Sequence, residues 1–88
     1  MTKFLNFHTD ASHGWLEVPL FDVIACGIAG KVSSYSYLKD DTVFLEEDAD
    51  AGLYLEQLKA QGVEFVFSEH HRENSPIRTY ARFQLGRL

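Results

Sequence analysis

The sequence has one cysteine, one tryptophan and two prolines in 88 residues, and its 8 lysines and arginines are outnumbered by 13 aspartates and glutamates. Each scarcity excludes something. A lone Cys26 cannot close an internal disulfide, so the chain must hold together by packing, as proteins of a reducing compartment do. It also excludes a CxxC zinc knuckle. A formal charge of −5 leaves no overall basic film with which to bind nucleic acid or anionic lipid. Long apolar runs are missing too: the weakly polar stretch 18–30 is interrupted by Asp22 and is too short to cross a bilayer. The opening MTKFLNFHTD has no apolar core of a secretion signal. A cytoplasmic protein with no membrane contact is therefore expected. There is no glycosylation sequon, internal repeat, nucleophile elbow, phosphate-binding glycine loop or dinucleotide fingerprint.

What is present fits one folded domain over 1–88. The chain is 45% hydrophobic and 24% charged, too apolar to stay disordered and too polar for a membrane protein. Residues 3–8 and 14–18 alternate apolar with polar side chains around the turn-rich TDASHG, which predicts two short strands. Pro19, then Leu20, Val23 and Ile24 at helical spacing, then Gly27 as a stop, predict a short helix over 19–26. Residues 32–38 and 42–47 alternate on either side of Lys39, Asp40 and Asp41, the pattern of a β-hairpin. Asp48 is a candidate N-cap for a helix that places Ala51, Tyr54, Leu55 and Leu58 on one face and ends at Gly62. Val63, Phe65 and Phe67 then alternate with Glu64, Val66 and Ser68, which predicts a buried strand over 63–68 with one mostly wet face. After a polar loop, 77–85 alternates so that Arg78, Tyr80, Arg82 and Gln84 share the face opposite Ile77, Thr79, Ala81, Phe83 and Leu85. The order β-β-α-β-β-α-β-β predicts an α+β two-layer sandwich, with an antiparallel or mixed sheet and both helices on one side.

Charge is distributed unevenly. Residues 1–71 hold 4 basic and 12 acidic side chains, whereas 72–88 hold 4 basic and 1 acidic. Seven acids, Asp40, Asp41, Glu46, Glu47, Asp48, Asp50 and Glu56, fall within 40–56 with no base among them. Acids at a helix start stabilise the dipole by about 0.3–1 kcal/mol each, which accounts for Asp48 and Asp50 but not for the rest. A solvated face and a negative surface for a basic partner both fit the run. A calcium loop does not, because Glu46-Glu47-Asp48-x-Asp50 lacks the ligand spacing of one. Arg78, Tyr80 and Arg82 on one strand face have the composition of a base-stacking, phosphate-binding strip. Two arginines make a weak one, and the net charge of the chain argues against direct nucleic-acid binding.

Chemistry beyond binding finds little support. Cys26 ends an apolar helix and fits a small core residue; as a nucleophile it would need a histidine beside it. His8 with His13, and His70 with His71, have neither of the spacings that set two imidazoles on one metal. No catalytic residue, metal site or cofactor is expected. The aromatic supply, with Phe4, Phe7, Trp15, Tyr35, Tyr37 and Tyr54, exceeds what so small a core needs, and exposed aromatics favour an interaction surface.

The strings HGWLEVPL, GIAGKVSSYSYLKDDTVFLEEDADAGLYLEQL and SPIRTYARF resemble a group of short accessory proteins encoded by phages and plasmids, over about residues 13–83. The resemblance implies a mobile-element accessory protein and carries over no functional site. By analogy, small acidic proteins of this kind occlude host defence machinery, CRISPR effectors included. The expectation is then a non-enzymatic protein that docks on a basic, nucleic-acid-binding partner through Asp40, Asp41, Glu46, Glu47, Asp48 and Asp50, with Tyr35 and Tyr37 exposed beside them. Alternatives are a nucleic-acid module using Arg78, Tyr80 and Arg82, and a small ligand binder or enzyme. A homodimer is also expected to be possible, the acidic segment of one copy meeting the basic final strand of another along the edge 77–85.

Overall fold

Alternation of apolar and polar residues builds the centre of the sheet. In β1 (Thr2–Thr9) Leu5 and Phe7 face one side; in β2 (Gly14–Pro19) Leu16 and Val18 do, and in β4 (Thr42–Glu46) Val43 and Leu45 do. The registers Phe7 with Leu16, Leu16 with Leu45 and Val18 with Val43 stack these side chains into one apolar layer. The structure, a computed structural model describing residues 2–87, sets β1, β2 and β4 in a six-stranded mixed sheet. β3 (Tyr37–Lys39), β5 (Glu64–His71) and β6 (Ala81–Arg82) complete it, in the order β5-β1-β2-β4-β3-β6. Only β5 runs parallel to its neighbour; the other pairings are antiparallel.

Two helices, α1 (Leu20–Ala25) and α2 (Ala51–Ala60), cover the apolar layer with Val23, Ala51, Tyr54 and Leu58. The fold is the expected α+β arrangement of two helices on one face of a mixed sheet. Full burial of Leu16, Val18, Val43 and Leu45 stabilises it by about 1.5–3 kcal/mol for each side chain. α2 stops at Gly62, whose φ of +70° is open to glycine; the Val63 amide then reaches back to the Leu58 carbonyl at 2.9 Å.

Several elements depart from the sequence expectation. Residues 32–36 are a loop, and the hairpin is shorter, with β3 and β4 joined by a two-residue turn in which Asp40 has φ 54°. Aspartate tolerates that conformation better than most side chains. Ile24 lies half exposed, leaving Val23 as the buried anchor of α1. β5 is an exposed edge strand rather than a buried one, with only Phe65 partly covered, and it continues through the polar Glu69–His71 because an edge needs neither face fully buried. The largest change is at the C-terminus. Residues 77–85 are not one strand: Pro76–Thr79 forms a 3-10 turn and β6 has only two residues. Ile77 and Phe83, expected on one face, are buried on opposite sides of the sheet. After β5 the chain crosses the face away from the helices and rejoins the sheet at its other edge. Ile77 and Tyr80 thereby pack on Trp15, Tyr37 and Phe44 in a second, smaller core.

Asp50 organises the 32–36 loop. Its carboxylate is 2% exposed and accepts from the Ser33 amide (3.1 Å), the Ser33 hydroxyl (2.7 Å) and the Ser36 hydroxyl (2.5 Å). Ser36 Oγ in turn accepts from the Glu46 amide at 2.9 Å. Asp48 is not the N-cap: α2 starts after Asp50, which makes no side-chain capping bond, and Glu46 Oε2 accepts from the Asp48 and Ala49 amides in the preceding turn at 2.9 and 2.7 Å. Removing a buried charged acceptor leaves its donors unsatisfied. Asp50→Ala is expected to lower unfolding free energy in urea by about 2–4 kcal/mol, whereas Asp48→Ala stays within about 0.5 kcal/mol of wild type. Equal effects of the two would contradict the assignment.

Candidate functional site

The crossing segment is held by one ion pair. Asp10 closes the β1–β2 turn, its Oδ1 accepting from the Ser12 and His13 amides at 2.9 and 2.8 Å. An aspartate that accepts from the amide two residues on is ordinary turn chemistry. Its carboxylate, 3% exposed, also takes the Arg78 guanidinium as a two-pronged pair through Nε and Nη2. Arg78 additionally donates to Ser12 Oγ at 2.8 Å and lies 5.6 Å from the centre of the Trp15 ring. The Arg78 hydrogen bonds, aided by the two turn amides, hold the Asp10 carboxyl well below the usual carboxylate range. The same pairing raises the Arg78 pKa.

Beside this clasp lies a cleft of about 470 Å³. Trp15 and Tyr37 form its floor, with ring centres 6.2 Å apart in an edge contact. His13 stacks on Trp15 at 6.1 Å. Arg82 lies 5.0 Å from the centre of Tyr37 and donates to the Ser34 carbonyl at 3.1 Å. Glu46, Asp48 and Tyr35 stand on the opposite rim, and Tyr35 is 65% exposed. Arg78 is paired with Asp10, so among the described residues lining the cleft Arg82 is the one cation without a carboxylate partner, alongside Glu46 and Asp48.

No family model, curated protein or solved structure matches this chain.

The predicted site residues divide. The acidic run does not form one face. Asp40 and Asp41 sit at one end of β4 and Glu46, Glu47 and Asp48 at the other, roughly 15 Å apart along an extended strand. Glu56 lies on the exposed side of α2, 3.7 Å from Lys59. Asp50 is buried and offers nothing to a partner, and Tyr37, expected to be exposed, is 8% exposed as part of the cleft floor. Tyr35 is exposed as expected.

Arg78, Tyr80 and Arg82 do not form a one-faced strip. Arg78 is engaged by Asp10, Tyr80 packs 5.3 Å from Phe44 beneath the Lys39 ammonium, and Arg82 is laid on Tyr37. Arg78 and Arg82 both line the cleft, whereas Tyr80 lies apart from it against Phe44. Cys26 donates weakly to the Val23 carbonyl, and no histidine lines the shallow depression around it. Among the described residues no three His, Cys, Asp or Glu side chains gather as a metal site. No helix of the structure is long and apolar enough to cross a membrane.

Sequence reading missed Asp10, His13 and Trp15 as members of this site. The turn-rich TDASHG marks the turn that Asp10 closes, but nothing in it marks a site.

A carboxyl held low in the folded state contributes stability that is complete above its unfolded value, about 3.9, and is lost as pH falls below that value. Wild type is therefore expected to exceed Asp10→Asn in urea midpoint by a constant margin from pH 7 to 5, and the margin to shrink steadily below about pH 4. A margin that stays level to pH 2 would show that the Asp10 charge is not what holds the segment.

Proposed function

We propose that this chain is a non-enzymatic interaction protein that docks on a basic partner through the cleft rim and masks the partner's nucleic-acid-binding surface. One observation carries the reading: Tyr35 stands 65% exposed over an aromatic floor, on a rim that carries Glu46 and Asp48. An exposed tyrosine beside acids has the makeup of an interface anchor with a steering charge, since aromatic residues dominate binding energy and complementary charge speeds encounter. The acidic side of the rim suits a lysine or arginine. Placing the partner among host defence proteins follows from the resemblance of residues 13–83 to mobile-element accessory proteins.

The nucleic-acid alternative has less geometric support, because Arg78 is paired with Asp10, Arg82 lies against Tyr37, and Tyr80 packs on Phe44 rather than between them. The rim limits the proposed docking set to Tyr35, Glu46 and Asp48, since the Glu47 carboxyl lies by Phe7 on the helix side of the sheet. Asp40 and Asp41 belong to the hairpin turn, and Asp50 to the core.

The test is capture from host lysate with three tagged proteins. Tyr35→Ala combined with Glu46→Gln and Asp48→Asn is expected to reduce capture of a specific partner at least tenfold and to weaken its salt dependence. Asp40→Asn with Asp41→Asn should leave capture within about twofold of wild type, as rim and turn are separate surfaces. Capture that resists both changes and is indifferent to salt would overturn the proposal.

A further inference from the structure

The two edges of the sheet are unlike. β6 exposes only Ala81 and Arg82, a short and charged edge of the kind that resists pairing with other chains. β5 is an eight-residue strand bonded to β1 on one side only, and Glu64–His71 contains no lysine, arginine or proline to blunt it. Apolar side chains flank this edge on both faces. Phe67 is 48% exposed on the helix side; Val66 and its β1 neighbour Phe4 are 45% and 76% exposed on the other.

Charge along β5 selects the occupant. The strand carries acids at Glu64 and Glu69 and ends at the imidazoles of His70 and His71. Laid parallel in register, Glu64 and Glu69 would each meet their own copies; laid antiparallel, Glu64 meets the imidazole end, where a ring N–H can donate to its carboxylate. Opposite charges across a strand pair stabilise it and like charges oppose it. An antiparallel two-fold that continues one sheet sets Phe67 opposite its own copy, Val66 opposite Ser68, Phe65 opposite Glu69 and Glu64 opposite His70.

We propose that β5 is a self-association edge, on which a second copy of this chain adds its own β5 antiparallel to give a continuous twelve-stranded sheet. The seam covers Val66 and Phe67 at its centre and pairs Glu64 with His70 at each end. Such a short seam makes a weak, concentration-dependent dimer, because interfaces well below standard size are transient. The cleft lies toward the β6 edge, so a dimer through β5 leaves two clefts free at its far ends. A partner with two basic sites would then gain by simultaneous engagement. The inference stands independently of what the cleft binds.

Sedimentation equilibrium from 10 μM to 1 mM tests it, with circular dichroism as the check that each variant folds. Wild type is expected to shift from monomer to dimer in this range. Phe67→Lys should be monomeric throughout, and Glu64→Lys should weaken the dimer at least fivefold. Glu64→Lys combined with His70→Glu exchanges the charges and should restore association to within about twofold of wild type. A wild type that is monomeric at 1 mM overturns the proposal. So does association that folded Phe67→Lys leaves unchanged, and failure of the charge exchange to restore it removes the antiparallel register.

Discussion

The clasp between Asp10 and Arg78 is the contact on which the rest of the open sheet face depends. The helices cover one face; the other would present Trp15, Tyr37 and Phe44 to water. A segment with no regular strand covers it instead, carrying Ile77 and Tyr80 across. Such a segment has few backbone partners of its own, so a fixed point is needed, and a two-pronged guanidinium pair to a carboxylate already locked in a turn supplies one. The guanidinium also rests over Trp15. Charge, turn and aromatic floor are therefore coupled: loosening any one of them loosens the wall of the cleft.

A second buried carboxylate performs the matching task on the other wall. Asp50 gathers Ser33 and Ser36 and so positions Tyr35 and the 32–36 loop. Two of the 13 acids are thus structural, and the acids left at the surface form separate groups rather than one continuous field. At the cleft rim this leaves two acids, Glu46 and Asp48, and the exposed Tyr35. Net charge sets solubility and the sign of long-range encounter, whereas recognition rests on the few side chains that converge.

The parts of the fold legible in the sequence are those with one wet and one dry face. β1, β2, β4 and α2 announce themselves by periods of two or 3.6 residues because Leu5, Leu16, Val43, Tyr54 and their neighbours all point at one core. The C-terminal stretch alternates equally well, yet Ile77 and Phe83 answer to two different cores on opposite sides of the sheet, so its period is coincidental to its path. β5 runs past its apolar residues because an edge strand tolerates polar side chains on both faces. Within the site, composition located the acidic rim and Tyr35. It could not say which acid turns inward, since Asp48 and Asp50 differ only in their distance from the serines of a loop 14 to 17 residues earlier. Asp10 and Arg78 are separated by 68 residues, and nothing local to either one predicts the other.

Trp15 is the single tryptophan, 2% exposed beneath Arg78, and its emission reports the clasp directly. In Asp10→Ala at pH 7 the crossing segment should detach while the helix-side core persists. Tryptophan emission is then expected to shift to longer wavelength and acrylamide quenching to rise severalfold, with the far-ultraviolet dichroism of the sheet and helices retained. Emission and quenching identical to wild type in that variant would contradict the claim that this one ion pair holds the open face closed.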